Sequence, residues 1–202
     1  MRIDAVKEFF EKYYESNVSS IINPCYEEAL KAHHKTILDI GCGTLEWTER
    51  NRYVVGIEIS ENAAYQAKSN NENCDVVLGC AEKLPFRSNS FECVILSEVL
   101  EFVENATQTL KEVSRVLKKS LTSKIYVLLK TKENIEYFWK NLPIKPKLVN
   151  PKATEFLLRK FGGLRKIKEK IINLSQMLRI HCYHYYSSIS DFPLLILQIY
   201  SL

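Results

Sequence analysis

Apolar residues along the chain first recur at helical spacing, then gather into short runs. Val6, Phe9, Phe10, Tyr13 and Tyr14 lie three or four residues apart, which places them on one face of a helix. Asn23-Pro24 opens a second helix, because proline's fixed φ and missing N–H suit a first turn, and Tyr26, Ala29 and Leu30 share a face. His33 and His34 close that helix as caps. From Thr36 the period changes. Residues 36–40, 53–57, 75–78, 91–96 and 125–129 read as strands, with helices over 62–68 and 106–119. Strands alternating with helices predict βαβ units and a parallel sheet covered on both faces. Further on, the pattern predicts a helix over 152–160, stopped by Gly162-Gly163. Strands are expected near 164–174 and 194–200, with Tyr183, Tyr185 and Tyr186 in a loop between them. No repeat or linker divides the 202 residues, so one domain is expected.

Composition places the chain among globular proteins, with 46% hydrophobic and 26% charged residues. No apolar run approaches the roughly 20 residues that span a bilayer, and Pro193–Ile199 is far too short. The charged N-terminal stretch has no apolar core of the signal-peptide kind, so a cytoplasmic protein is expected. Six scattered cysteines form no C-x-x-C pair and read as small buried hydrophobes. His181-Cys182-Tyr183-His184 has the look of a metal half-site, but no second cluster completes it, and no metal is expected.

Charge alters the picture locally. Residues 1–139 hold 17 Lys and Arg against 21 Asp and Glu, whereas residues 140–170 hold 10 against 2. The basic block reads either as a solvated surface or as a contact for an acidic partner such as RNA, through Lys140, Lys145, Lys147, Lys166 and Lys168.

The chemistry is concentrated at the strand ends. Ile37-Leu38-Asp39-Ile40-Gly41-Cys42-Gly43-Thr44 is a strand running into glycines, which lets the backbone turn and approach a ligand, with a helix expected to start just after. Asp39 can pair there with an ammonium group and would repel a dinucleotide's pyrophosphate. Glu58 ends the second strand, 17 residues after Gly41, where an acid accepts hydrogen bonds from ribose hydroxyls. Gly79 to Phe86 follows the third strand, where backbone amides can meet an adenine edge, and Ser97-Glu98 follows the fourth. Ligands bind outside such strand ends, where the strand order of a doubly wound sheet reverses.

These four stretches, in this order and spacing, closely resemble the class I S-adenosylmethionine (SAM)-dependent methyltransferases, and among them the small single-domain group that includes quinone-biosynthesis enzymes. The resemblance covers residues 36 to about 130. It implies a doubly wound, mostly parallel seven-stranded sheet with helices on both faces, an antiparallel last strand and an N-terminal helical cap over residues 1–35. Residues 36–130 would be the SAM-binding half and 131–202 the acceptor side. Asp39 and the Gly41-Cys42-Gly43 backbone would face the methionine part, Glu58 would hold the ribose, and Ile59 would pack on adenine. Ala81 would bond the adenine through its amide, and Ser97 would lie beside the methyl. Tyr13 or Tyr14 would either close over the cofactor or simply pack the core. Three departures stand out. Leu45 replaces the third glycine; only ten residues separate Gly43 from Val54, leaving room for a helix of about two turns; and Cys80 replaces an adenine-binding Asp, a role Glu82 is placed to take.

SAM carries an already activated methyl, so the protein must mainly align the acceptor and exclude water, and a general base is needed only for an acceptor that loses its proton early. No catalytic residue is therefore fixed. Glu98 is the weak candidate, and Glu101 reads better as a solvated helix face. No Asn/Asp-Pro-Pro-Tyr/Phe sequence follows the fourth strand, which counts against amino-methylation of nucleic-acid bases of that type. Three functions stay open: a methyltransferase acting on a small molecule or protein side chain, an RNA methyltransferase using the basic segment, or a non-catalytic SAM-binding protein.

Overall fold

The computed structural model describes residues 3–15, 24–48, 53–100, 102–120 and 122–128, and the backbone of 180–186 and 193–199. Helices α1 (Ile3–Glu15) and α2 (Pro24–Lys31) precede strand β1 (Ile37–Ile40). There follow β2 (Val54–Glu58), α3 (Glu61–Asn70), β3 (Cys74–Leu78), β4 (Cys93–Ser97), α4 (Ala106–Val116), β5 (Lys124–Leu128), β6 (Ile180–Tyr186) and β7 (Pro193–Ile199).

The strands are ordered β3-β2-β1-β4-β5-β7-β6. The first five run parallel, β1 pairing β2 through Ile40↔Ile57 and β4 through Ile40↔Leu96. β7 lies antiparallel to both β5 and β6. The chain therefore winds outward from β1 in one direction, then crosses to β4 and winds the other way. The crevice between the ends of β1 and β4 is the point of reversal.

Alternation along the strands makes two cores. Leu38, Ile40, Ile57, Leu96 and Val127 meet Leu110, Val113 and Val116 of α4 on one face. Ile37, Ile95 and Tyr126 meet Cys25, Tyr26 and Ala29 of α2, and Ala67 of α3, on the other. Every residue of β1 is buried, as a central strand with two covered faces requires. Alanines 63, 64 and 67 bring α3 close to the sheet, and its N-cap Ser60 accepts from the Ala63 N–H at 3.2 Å. Asn105 caps α4 in the same way, accepting from Gln108 N at 3.1 Å.

Three expectations are corrected. The helix expected over 106–119 ends at Val116, because Leu117 turns extended and bridges Phe91, and Lys118 N donates to Phe91 O at 2.7 Å. No helix follows the glycine turn in residues 44–48: Leu45 sits at φ 54°, a left-handed conformation that ends any helix there. Tyr183, Tyr185 and Tyr186 lie on strand β6 and not in a loop. Among the described residues the backbone of β6 pairs only with β7, which makes it an edge strand there, and its His- and Tyr-rich sequence lacks the apolar run of a central one. The helix expected over 152–160, the glycine stop at 162–163 and the strand expected near 164–174 lie outside the described residues. Among the described residues, no helix is long and apolar enough to cross a membrane.

Candidate functional site

At the ends of β1, β2, β3 and β4 lies a cleft of about 930 Å³, its open mouth included. Gly41, Glu58, Ile59, Ala81, Glu82, Ser97 and Glu98 line it, all of them residues singled out in the sequence. Its roof is α1, which contributes Ile3, Val6, Phe10, Tyr13 and Tyr14. Phe102 closes the side and meets the Phe10 ring edge-on at 5.1 Å. The helical spacing of α1 was legible, but nothing in it says that this face would roof a cleft.

The glycine turn is built for close approach. Gly41 has φ 68°, and a Cβ there would come within 2.6 Å of Val99. Gly43, at φ 56°, donates its N–H to Glu58 Oε2 at 3.0 Å. Leu45 keeps the left-handed backbone that a glycine would adopt easily, and its fully buried side chain packs down onto Gly56 of β2. A Cβ at Gly56 would meet Cys42 Sγ at 2.5 Å and Leu45 Cδ1 at 3.0 Å. The missing third glycine is thus matched by a glycine in the neighbouring strand.

Glu58 is buried, and three backbone amides hold its carboxylate. Oε1 accepts from Ile59 N at 2.9 Å and Ser60 N at 3.0 Å, and Oε2 accepts from Gly43 N. Burial pushes its pKa up, and the three amide bonds pull it back. A carboxylate has about four lone-pair sites, so one remains for a ligand hydroxyl.

Asp39, Cys42 and Gly43 do not line the cleft but lie behind Gly41. Asp39 is fully buried. Its Oδ2 accepts from Trp47 Nε1 at 2.8 Å, and its Oδ1 has no hydrogen-bond partner among the described residues. Burial raises its pKa to about 8; the Trp47 bond opposes the rise and the Glu58 charge adds to it. Trp47 stacks on Tyr26, with ring centroids 4.7 Å apart. This tryptophan was missed, since an N–H reaching back eight residues around a turn leaves no sequence pattern. Tyr14, in the roof of the cleft, is pushed well above its ordinary pKa by burial and then by the Glu58 charge, with lesser contributions from Tyr13, Cys42 and Asp39.

On the third-strand side, Glu82 Oε1 accepts from Glu104 N at 2.7 Å and Asn105 N at 3.4 Å. It ties the loop after β3 to the start of α4. Arg115 holds the same loop, donating to Phe86 O at 2.7 Å and Leu84 O at 3.0 Å. At the end of β4, Ser97 is hydrogen-bonded to Tyr26. Glu98 follows at φ 59°, a conformation costly for a residue with a side chain, and its N–H is fixed to Leu128 O at 2.9 Å. Burial, then the nearby Glu98 charge, raises the Tyr13 pKa. Glu101, and Lys140, Lys145, Lys147, Lys166 and Lys168, lie outside the described residues.

Residues 38–120 match the methyltransferase domain family. The match takes in the glycine turn, Glu58, the loop after β3 and α4. An uncharacterized protein of Methanocaldococcus jannaschii is 32% identical to it over 118 residues, 57% of this chain and 56% of that protein. The demethylmenaquinone methyltransferase of Staphylococcus saprophyticus is 36% identical over 91 residues, 40% of this chain and 39% of the enzyme. The chain thus spans about two fifths to just over half the length of these relatives. Among solved structures, a SAM-dependent methyltransferase of Methanosarcina mazei superposes with a TM-score of 0.54 at 19% identity, covering 91% of this chain and 100% of that one. The plantazolicin methyltransferase bound to S-adenosylhomocysteine superposes with a TM-score of 0.60 at 15% identity, covering 98% and 83%. The chain therefore has the Rossmann-like α/β fold of these proteins.

Proposed function

We propose that this chain is a methyltransferase that transfers a methyl group from SAM to a small molecule or a protein side chain. The observation that carries the reading is the cleft at the sheet's point of reversal, with the carboxylate of Glu58 fixed at its wall by three amides. We take the seven-stranded arrangement with its antiparallel last strand as the full fold of the domain, and residues 131–202 as its acceptor side.

The residues fit the cofactor. A Cβ at Gly41 would fill the cradle, and the orphaned Oδ1 of buried Asp39 suits an ammonium donor. Asp39 would take the ammonium end, with the Gly41-Cys42-Gly43 backbone beside the methionine. Glu58 would accept from the ribose, Ile59 would pack on adenine, and the Ala81 amide would bond the adenine edge. Glu82 has Oε2 left for the adenine amino group, its Oε1 being committed to α4. SAM supplies a methyl already activated by its sulfonium. Ser97, held by Tyr26, and the rigid turn at Glu98 would then fix the floor on which the acceptor is aligned, and the α1 roof would exclude water. Among the described residues, Glu98 is the candidate carboxylate at that floor for taking an acceptor proton.

A second reading, transfer to RNA, rests on the excess of 10 basic over 2 acidic residues in 140–170. Lys140, Lys145, Lys147, Lys166 and Lys168 would hold phosphates there.

Titration calorimetry with SAM, S-adenosylhomocysteine and NAD tests the first reading. Either SAM species should bind more tightly than NAD, and the reverse order would overturn it. Labelled methyl from SAM, chased into fractionated extract, should then appear in a small molecule or protein. Label in RNA, with binding that weakens by about 0.7 log units per log unit of salt for each phosphate contact, would move the assignment to the second reading.

A further inference from the structure

Among the described residues, the polar contacts of the roof gather on α3. Glu11 of α1 directs both carboxylate oxygens onto the N-terminus of α3. Oε2 accepts from Ser60 Oγ at 3.2 Å and Asn62 N at 3.1 Å, and Oε1 accepts from Glu61 N. Asn62 Nδ2 returns a bond to Glu11 O at 3.3 Å, and Gln66 Nε2 donates to Tyr14 O at 2.9 Å. An exposed ion pair, Lys7 with Glu61 at 2.6 Å, flanks them. A carboxylate at a helix N-terminus satisfies amides that have no partner within the helix and meets the positive end of its dipole. Glu11 is therefore an α3 cap supplied from another helix, far along the sequence.

Ser60 joins this fastening to the cleft. Its hydroxyl donates to Glu11, while its own N–H donates to Glu58 Oε1. The charge of Glu11 is felt at Glu58, where it raises the pKa. The residue that pins the roof and the residue that faces the ribose position are thus held by the same serine. The roof itself consists of side chains from Ile3 to Tyr14, so a cofactor seated in the cleft would lie beneath α1.

We propose that Glu11 is a positioning residue that fastens α1 over the cofactor cleft, and that its bonds to α3 must open before the cofactor enters or leaves. The proposal rests on the methyltransferase reading for the identity of the ligand, and on the contacts above for the fastening.

Two measurements on the full chain test it. In hydrogen exchange of the ligand-free protein, Glu11→Ala should exchange α1 amides at least tenfold faster than wild type, while α4 amides keep their protection. In stopped-flow fluorescence with S-adenosylhomocysteine as the probe, association and dissociation should both accelerate about tenfold. Unlike a merely destabilised protein, the variant should show faster association as well as faster release. Glu11→Gln, which keeps one acceptor oxygen, should fall between; if Glu11→Ala also loses α4 protection, Glu11→Gln carries the comparison. Unchanged α1 exchange, or faster α1 exchange with ligand rates within twofold of wild type, overturns the proposal. If wild type does not bind S-adenosylhomocysteine, the methyltransferase reading falls, and the exchange data alone decide whether Glu11 fastens α1.

Discussion

The ends of β1 and β2 lie side by side, and each carries a buried acid, yet the two are treated in opposite ways. Glu58 has three backbone N–H partners, which offset much of the cost of burial. Among the described residues, Asp39 has one, the Trp47 indole, and an oxygen with none. The carboxyl of Asp39 consequently sits at about 8. Burial alone does not set the state of an acid: the donors that the chain can bring to it do. The turn at Gly41–Gly43 and the bend after Glu58 point their amides at Glu58. Asp39 lies inside the strand, where its neighbours' amides are already committed to the sheet. One acid has both oxygens engaged and a single lone pair to spare, and the other is left with a whole oxygen to satisfy.

The largest effect expected from this difference is on stability against pH. An acid held at about 8 when folded, against an ordinary 3.8, binds its proton more tightly in the folded chain. Its contribution is therefore undiminished below about pH 4, is lost as pH rises to about 8, and is flat beyond, a loss on the order of 5 kcal/mol. Asp39→Asn should remove that slope, so denaturant titrations should find the variant gaining on wild type as pH rises through this interval. A slope equal to that of wild type would place the high carboxyl elsewhere. SAM should also release close to one proton on binding near pH 7 if its ammonium meets Asp39, and calorimetry in buffers of different ionisation enthalpy reads that number directly.

Glu58→Gln attacks the complete acid. A glutamine has one carbonyl oxygen, so its NH₂ must oppose either the Gly43 N–H or the pair from Ile59 and Ser60. The buried amide left without an acceptor should cost about 1–3 kcal/mol of stability. SAM affinity should fall about tenfold or more, because a charge-assisted bond is weakened as well. If urea unfolding and SAM affinity both match wild type, the three amides are not what holds this corner together.

The smallest effect is expected at Trp47→Phe, which keeps the ring stacked on Tyr26 and deletes only the N–H to Asp39. A loss of about 1 kcal/mol at low pH should accompany a further rise in the Asp39 carboxyl. An unchanged pH profile would mean that Asp39 finds another donor.

Much of the site was legible because its parts are local. Gly41 and Gly43 mark a turn, and Asp39, Glu58 and Ser97 are placed by strand ends that short apolar runs reveal. What was misread depended on partners distant in sequence. The stop of α4 at Val116 is set by Phe91, and β6 was mistaken for a loop because an edge strand needs no apolar run. Likewise the left-handed Leu45 is tolerated only because Gly56 makes room beneath it.

The sequence by itself determined the parallel α/β order, the glycine turn and the positions of both acids, since each follows from spacing along a few residues. Only the tertiary structure decided what each acid meets. It put three amides on Glu58, one indole on Asp39 and the carboxylate of Glu11 on α3. A hydrogen bond needs its partners within about 3 Å, and residues 50 apart in the chain reach that distance only once the sheet and its helices have packed.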